Sequence, residues 1–223
     1  MAAQAVLVTG GTRGIGYATA QAFLAQGAHV AICGTNPESL RAAEHALEVL
    51  AVRADVRDPQ QVQSFVEQAR KRFGRVDVLV NNAGVAWSGD FADEAYESIA
   101  RQIDVNVKGV LYTARAVLPY MLEQGAGVII NIASGAGLTA FAGITTYSAT
   151  KFAVVGFTEA LDQEVRDRGI RVYGVCPGRV ATDMQQAYAG RKIGMPPEQV
   201  AKRIAELAGP KPRARTGSCV TLG

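Results

Sequence analysis

Thr9-Gly10-Gly11-Thr12-Arg13-Gly14-Ile15-Gly16 is the stretch on which the fold reading turns. The apolar run Ala5–Thr9 leads into it, and Ala18, Ala20, Ala22, Phe23 and Leu24 open a helical segment behind it. Strand, glycine turn and helix thus come in the order a phosphate-binding βα turn requires. Glycines there let the backbone approach a pyrophosphate, while the free N–H groups and positive end of the helix offset its charge. The bland alternative, a merely tight turn, stays open because the glycines stand at 10, 14 and 16 and depart from the commoner G-x-G-x-x-G spacing.

Further along, Val30–Cys33, Leu50–Val56, Asp77–Asn81, Gly127–Ile132, Arg171–Cys176 and Ser218–Leu222 are short apolar runs with β-branched residues and no polar alternation. Strands buried on both faces read this way. Helical segments separate them: in Pro59–Phe73, for example, Val62, Phe65, Val66, Ala69 and Phe73 lie on one stripe. The expected fold is α/β, a single-domain Rossmann architecture over 1–223, with a doubly wound parallel sheet of about seven strands and helices on both faces. A chain of 223 residues, 48% hydrophobic and 19% charged, suits one sizeable core.

Net charge is +3 with no long Lys/Arg run, so nucleic acid is not an expected partner. Cys33, Cys176 and Cys219 lie far apart in apolar runs and read as buried, reduced thiols; with only His29 and His45 beside them, no metal site is expected. Met1–Val8 has neither the charged flank of a signal peptide nor the length of a membrane span, which leads to the expectation of a cytoplasmic protein without membrane association.

After the second strand the chain reads Cys33-Gly34-Thr35-Asn36, without the carboxylate that commonly binds an adenosine ribose. Its absence, with Arg13 as a cation in the glycine turn, favours NADP(H) and leaves NAD(H) possible. Arg13 as plain surface charge, or Glu38 reaching the ribose, are the competing readings. Asp55, followed by Val56 beyond the third strand, reads equally as an adenine acceptor or an ordinary helix cap. Tyr147 and Lys151 are spaced i,i+4, on one helix face. A phenol working near neutrality needs its pKa lowered by roughly two to three units, which a nearby lysine cation can supply. Ser134, closing the strand at Val128–Ala133, would stand at the carboxyl edge of the sheet and could polarise a carbonyl oxygen.

With these residues together, the chain resembles the short-chain dehydrogenase/reductase family, in particular its 3-oxoacyl-carrier-protein reductase-like branch, from about Ala5 to Met184. The matches run in order: the glycine turn Thr9–Gly16, Asn-Asn-Ala-Gly at Asn81–Gly84, Asn106 within Asp104-Val-Asn-Val-Lys-Gly109, then Ser134, Tyr147, Lys151 and Pro177-Gly178-Arg179-Val180-Ala181-Thr182. The resemblance implies Asn106, Ser134, Tyr147 and Lys151 as the catalytic set, with Asn106 holding a relay water. It implies a cofactor site of Gly10, Thr12, Arg13, Gly14, Ile15, Gly16, Thr35, Asp55, Val56, Asn82, Ala83, Gly84, Tyr147, Lys151, Pro177, Gly178, Val180 and Thr182. It also implies a shortened substrate lid around 183–197, with Trp87, Phe141, Met184 and Tyr188 as pocket walls or ordinary packing. Arg179, Arg191 and Lys192 are either docking charges for an acidic carrier or solvated surface. Helices over Val105–Gln124 and Tyr147–Asp167 would form a homodimer or homotetramer, or serve the core of one subunit.

The function so implied is an NADP(H)-dependent reductase of a small-molecule or carrier-bound carbonyl, with tyrosine as proton donor. An NAD-dependent alcohol dehydrogenase with the same site, or a dinucleotide sensor without turnover, are the alternatives. A serine hydrolase is set aside because no Gly-x-Ser-x-Gly elbow surrounds Ser134.

Overall fold

The computed structural model describes residues 3–222, apart from the side chains of 187–189. Seven parallel strands, β1 (Ala5–Thr9), β2 (His29–Gly34), β3 (Leu50–Arg53), β4 (Val78–Asn81), β5 (Gly127–Ile132), β6 (Ile170–Pro177) and β7 (Cys219–Leu222), form one sheet in the order β3-β2-β1-β4-β5-β6-β7. Register follows from in-line pairing, with Val6 opposite both Val30 and Val78. Because successive side chains point to opposite faces, Val6 and Val8 enter one apolar layer and Leu7 the other.

The first layer is closed by α1 (Gly14–Leu24), α2 (Pro37–Leu47) and α8 (Pro197–Ala208), through Phe23, Leu40 and Ile204. The second is closed by α3 (Pro59–Phe73), α5 (Gly109–Gln124) and α6 (Thr145–Val165), through Phe65, Val117 and Leu161. This is the expected doubly wound Rossmann arrangement. Helix α3 begins where it does because the Asp58 carboxylate accepts from the N–H groups of Gln60 and Gln61, and it ends at Gly74 with φ +81°.

Two boundaries differ from expectation. The third strand stops at Arg53 instead of Val56: Asp55 turns, its N–H donating to Gln61 Oε1 while its own carbonyl accepts from Asp58. The long helix expected from Val105 instead continues from α4 (Tyr96–Ile103) through a π-helical turn at Asp104–Lys108 into α5. The turn puts Asn106 at the widened point of the helix, a placement typical of functional sites. Cys33 and Cys176 are buried as expected, whereas Cys219, on edge strand β7, is only half-buried; all three thiols are free. Ala114, Val117 and Met121 belong to the core, while Leu111, Ile103 and Phe152 stay exposed.

Among the described residues no helix is long and apolar enough to cross a membrane, and no cluster of three His, Cys, Asp or Glu side chains is placed to hold a metal.

Candidate active site

A cleft of about 1310 Å³ opens beyond the carboxyl ends of the strands, over the point between β1 and β4 where strand order reverses. Open α/β sheets bind their ligands there. Of the residues singled out above, Ser134, Tyr147, Lys151 and nearly the whole expected cofactor set line it, from Gly10 to Thr182. Gly16 and Asn106 lie behind its wall.

At one end, β1 delivers the glycine turn. Gly10 and Gly14 have φ of +64° and +54°, which side-chain-bearing residues rarely adopt. Arg13 is the N-cap of α1 in extended conformation, with no side-chain cap, so the first N–H groups of α1 remain available. Gly16 lies beneath: a Cβ there would collide with the carbonyl oxygen of Gly10 and come within 2.5 Å of Asn82 Nδ2. Asn82 supports the turn from below, its amide donating to Thr9 O (2.9 Å) and Gly10 O (3.0 Å). Thr9 Oγ1 in return accepts from the N–H groups of Asn82 and Ala83, both at 3.0 Å. Asn82 therefore acts on the cleft through the turn it holds. Uncapped N–H groups and side-chain-free backbone suit a pyrophosphate.

Thr35 lines the neighbouring wall with Asn36 and Ser39, two residues not anticipated from sequence. The Asn36 carboxamide is engaged as the N-cap of α2, accepting from Glu38 and Ser39. Asp55 is not free to act as a lone acceptor: Arg57 binds its carboxylate through Nε (3.0 Å) and Nη2 (2.6 Å), and this pairing holds its pKa below the ordinary carboxylate range. Arg57, offset by Asp55, and Arg101 also line the cleft, so that Arg101 adds to the positive charge of Arg13.

At the other end, β5 delivers Ser134, whose Oγ accepts from Ala136 N–H at 3.1 Å and keeps its own proton to donate. The first two turns of α6 deliver Tyr147 and Lys151. Lys151 is 5% exposed, its Nζ donating to Ile132 O at 2.8 Å and standing 5.5 Å from the Tyr147 ring centroid. Burial pushes the Lys151 ammonium down to about 8. Burial also raises the Tyr147 phenol, with the Ser134 hydroxyl beside it pulling the other way. The expectation of a phenol lowered by lysine is not met: desolvation outweighs the hydrogen bond from Ser134, and the phenol sits above its ordinary value. Asn106 is fully buried: its amide donates to Val85 O (2.8 Å) and Thr150 Oγ1 (3.1 Å), and its Oδ1 accepts from Val85 N–H (2.8 Å). Both of its amide protons are thereby committed to Val85 and Thr150.

Pro177 ends β6, and the N–H of Gly178 just beyond it donates to Leu222 O at 2.7 Å. Val180 is buried and bridges to Met195, while Thr182 Oγ1 caps α7 (Asp183–Ala189) by accepting from Gln185 N–H at 3.3 Å. An Asp183–Lys192 ion pair at 2.7 Å closes the segment beyond. Lys192 and Arg191 stand outside the cleft, and Arg179 stands at its margin. Phe141 and Met184 do line it, although both are largely exposed. Trp87 does not; its ring lies over Gly89, and a Cβ there would meet Cη2 at 2.7 Å. Tyr188 lies outside the described side chains. Ala86, Ala142, Ile144 and Gln185 complete this end, and no sequence motif marks them.

The family model described as short chain dehydrogenase matches residues 4–192. Oxidoreductase UcpA of Escherichia coli strain K12 is 37% identical over 222 residues, covering 97% of this chain and 83% of the relative. The structure of a 3-ketoacyl-(acyl-carrier-protein) reductase from Brucella melitensis, complexed with NADH, superposes with TM-score 0.94 at 29% identity, covering 99% of this chain and 97% of the other. An actinorhodin polyketide ketoreductase with NADPH gives TM-score 0.92 at 34% identity, covering 100% and 97%. Matched along most of its length and equipped with the site just described, this chain belongs to the short chain dehydrogenase family and is an oxidoreductase.

Proposed function

We propose that this protein is an NADP(H)-dependent reductase of ketones, including 3-oxoacyl thioesters. The observation that carries the reading is that Ser134, Tyr147 and Lys151 meet at one end of a cleft whose other end is a glycine cradle over an uncapped helix. The cofactor, when bound, would supply the hydride. Tyr147, kept protonated by burial, donates its phenolic proton to the substrate oxygen as that oxygen gains charge. Ser134 donates a hydrogen bond to the same oxygen and orients the carbonyl. Lys151 holds the nicotinamide ribose and offsets charge left on the phenol. Asn106 keeps the loop after β4 in place through Val85.

The preference for a 2′-phosphate rests on the absence of a carboxylate at Thr35–Asn36 and on Arg13 at the rim. The segment 183–197, held by the Asp183–Lys192 pair, forms a short lid, leaving room for a carrier-bound chain. The exposed faces of α5 and α6, with Leu111 and Phe152, provide the contact for a homodimer or homotetramer. Titration with NADPH and NADH, followed by absorbance of the reduced nicotinamide on adding a small diketone or an acetoacetyl thioester, tests the reading. Tighter NADPH binding with oxidation supports it; equal or tighter NADH binding removes the cofactor assignment, and binding without oxidation of any ketone removes the reductase.

A further inference from the structure

Glu94, Ser98, Gln102 and Asn106 recur every four residues, from the 3-10 turn at Phe91–Asp93 along α4 into the π turn. Ser98 and Gln102 share one face of α4, while Glu94 stands in extended conformation just before its N-cap and Asn106 in the π turn beyond it. Both ends of this stripe grip α6. Asn106 donates to Thr150 Oγ1 at 3.1 Å, and Glu94 Oε2 accepts from Thr146 Oγ1 at 2.6 Å. Thr146 and Thr150 are themselves four apart, and each immediately precedes a site residue, Tyr147 and Lys151. The turn carrying the phenol and the ammonium is therefore held at both ends by the one segment Glu94–Asn106.

Glu94 is the less expected of the two anchors. Its carboxylate is 8% exposed, and among the described residues it forms no ion pair. Its Oε1 accepts from Ser98 Oγ at 2.9 Å and from Gln102 Nε2. A charge is costly to bury against neutral donors alone. Here it sits beside the first turns of α4 and α6, whose N-caps, Ala95 and Ile144, contribute no side-chain hydrogen bond. The positive ends of both helices compensate a carboxylate at that place.

We propose that Glu94 is a positioning residue for Tyr147: through Thr146 it sets the rotation and depth of the first turn of α6, and with them the approach of the phenol to Ser134. The proposal rests on the reading of Tyr147 as proton donor. Rotation of that turn would swing the phenol away from the substrate oxygen while leaving the glycine cradle untouched. Turnover would then fall without loss of cofactor affinity.

The test compares wild type, Tyr147→Phe, Thr146→Val and Thr146→Ser in acetoacetyl thioester reduction, with NADPH titration and melting curves on each. Thr146→Val keeps the volume and removes the donor; its kcat is expected to drop about tenfold, since misplacement of a reacting group by about 1 Å can cost about a hundredfold. NADPH affinity and KM should stay within about twofold, and Thr146→Ser, which restores the hydroxyl, should recover wild-type kcat within about twofold. Wild-type turnover by Thr146→Val, beside an inactive Tyr147→Phe, overturns the proposal and leaves the proton-donor reading standing. Full turnover by Tyr147→Phe overturns that reading and this proposal with it. Should Thr146→Val not fold, Glu94→Gln, equal in size but with one acceptor oxygen fewer, is read in the same way.

Discussion

Lys151 Nζ donates to the main-chain oxygen of Ile132 at 2.8 Å, tying α6 to the end of β5 two residues before Ser134. One hydrogen bond thus ties together the two elements that carry Ser134 and Tyr147 to the cleft. It is made by a nearly buried ammonium whose pKa falls from 10.5 to about 8, with burial as the main cause.

That depression makes stability pH-dependent. Between about 8 and 10.5 the unfolded chain holds a proton on Lys151 that the folded one has released, so stability rises with pH across this window. Below it, both states are charged and the full desolvation penalty is present. Lys151→Met should therefore be more stable than wild type at pH 7 by about 2 kcal/mol, allowing for the lost hydrogen bond. The gain should shrink through the same window, as urea unfolding at neutral and alkaline pH would measure. A gain that is constant with pH would contradict the assignment.

Tyr147→Phe removes the donated proton and little else. Turnover should fall by about 10²- to 10⁴-fold, the range expected for a general acid. NADPH titration should be nearly unchanged, because the phenol is one contact among many along the cleft.

Arg13→Ala separates the two cofactors. It should weaken NADPH by about tenfold, the value of one charge-assisted hydrogen bond, and leave NADH almost unaffected. Equal losses for both, measured by fluorescence titration, would assign Arg13 to the pyrophosphate instead of the 2′-phosphate.

Gly16→Ala places a methyl against Gly10 O and within 2.5 Å of Asn82 Nδ2. Overpacking at such a site costs about 1–3 kcal/mol, so the melting temperature should drop. Cofactor affinity should fall too, because Gly10 and Asn82 shape the turn. Gly27→Ala, where a Cβ meets nothing within 4 Å but φ is +77°, is the control for backbone strain alone.

Much of this protein is legible from local pattern. Helix α3 is found over Pro59–Phe73 because its apolar stripe lies within the segment and its cap Asp58 and terminal Gly74 flank it directly. The strands are recognised by continuous β-branched runs, and the cleft by the glycine turn and the i,i+4 pair Tyr147 and Lys151. Such signals need no distant residue. The apolar run extends past the end of β3 to Val56, whereas the turn at Asp55 depends on Gln61 and Asp58.

From the sequence come the alternation of strands and helices, the position of the glycine turn and the i,i+4 pair Tyr147 and Lys151, since these follow from short-range periodicity and steric preference. Tertiary structure alone decided what each polar group is bonded to: Asn106 to Val85 and Thr150, Asp55 to Arg57, and Glu94 to Thr146 across 52 residues of chain. It also decided that burial raises the Tyr147 phenol. Desolvation and hydrogen-bond geometry depend on which surfaces the fold brings together, and spacing along the chain does not encode them.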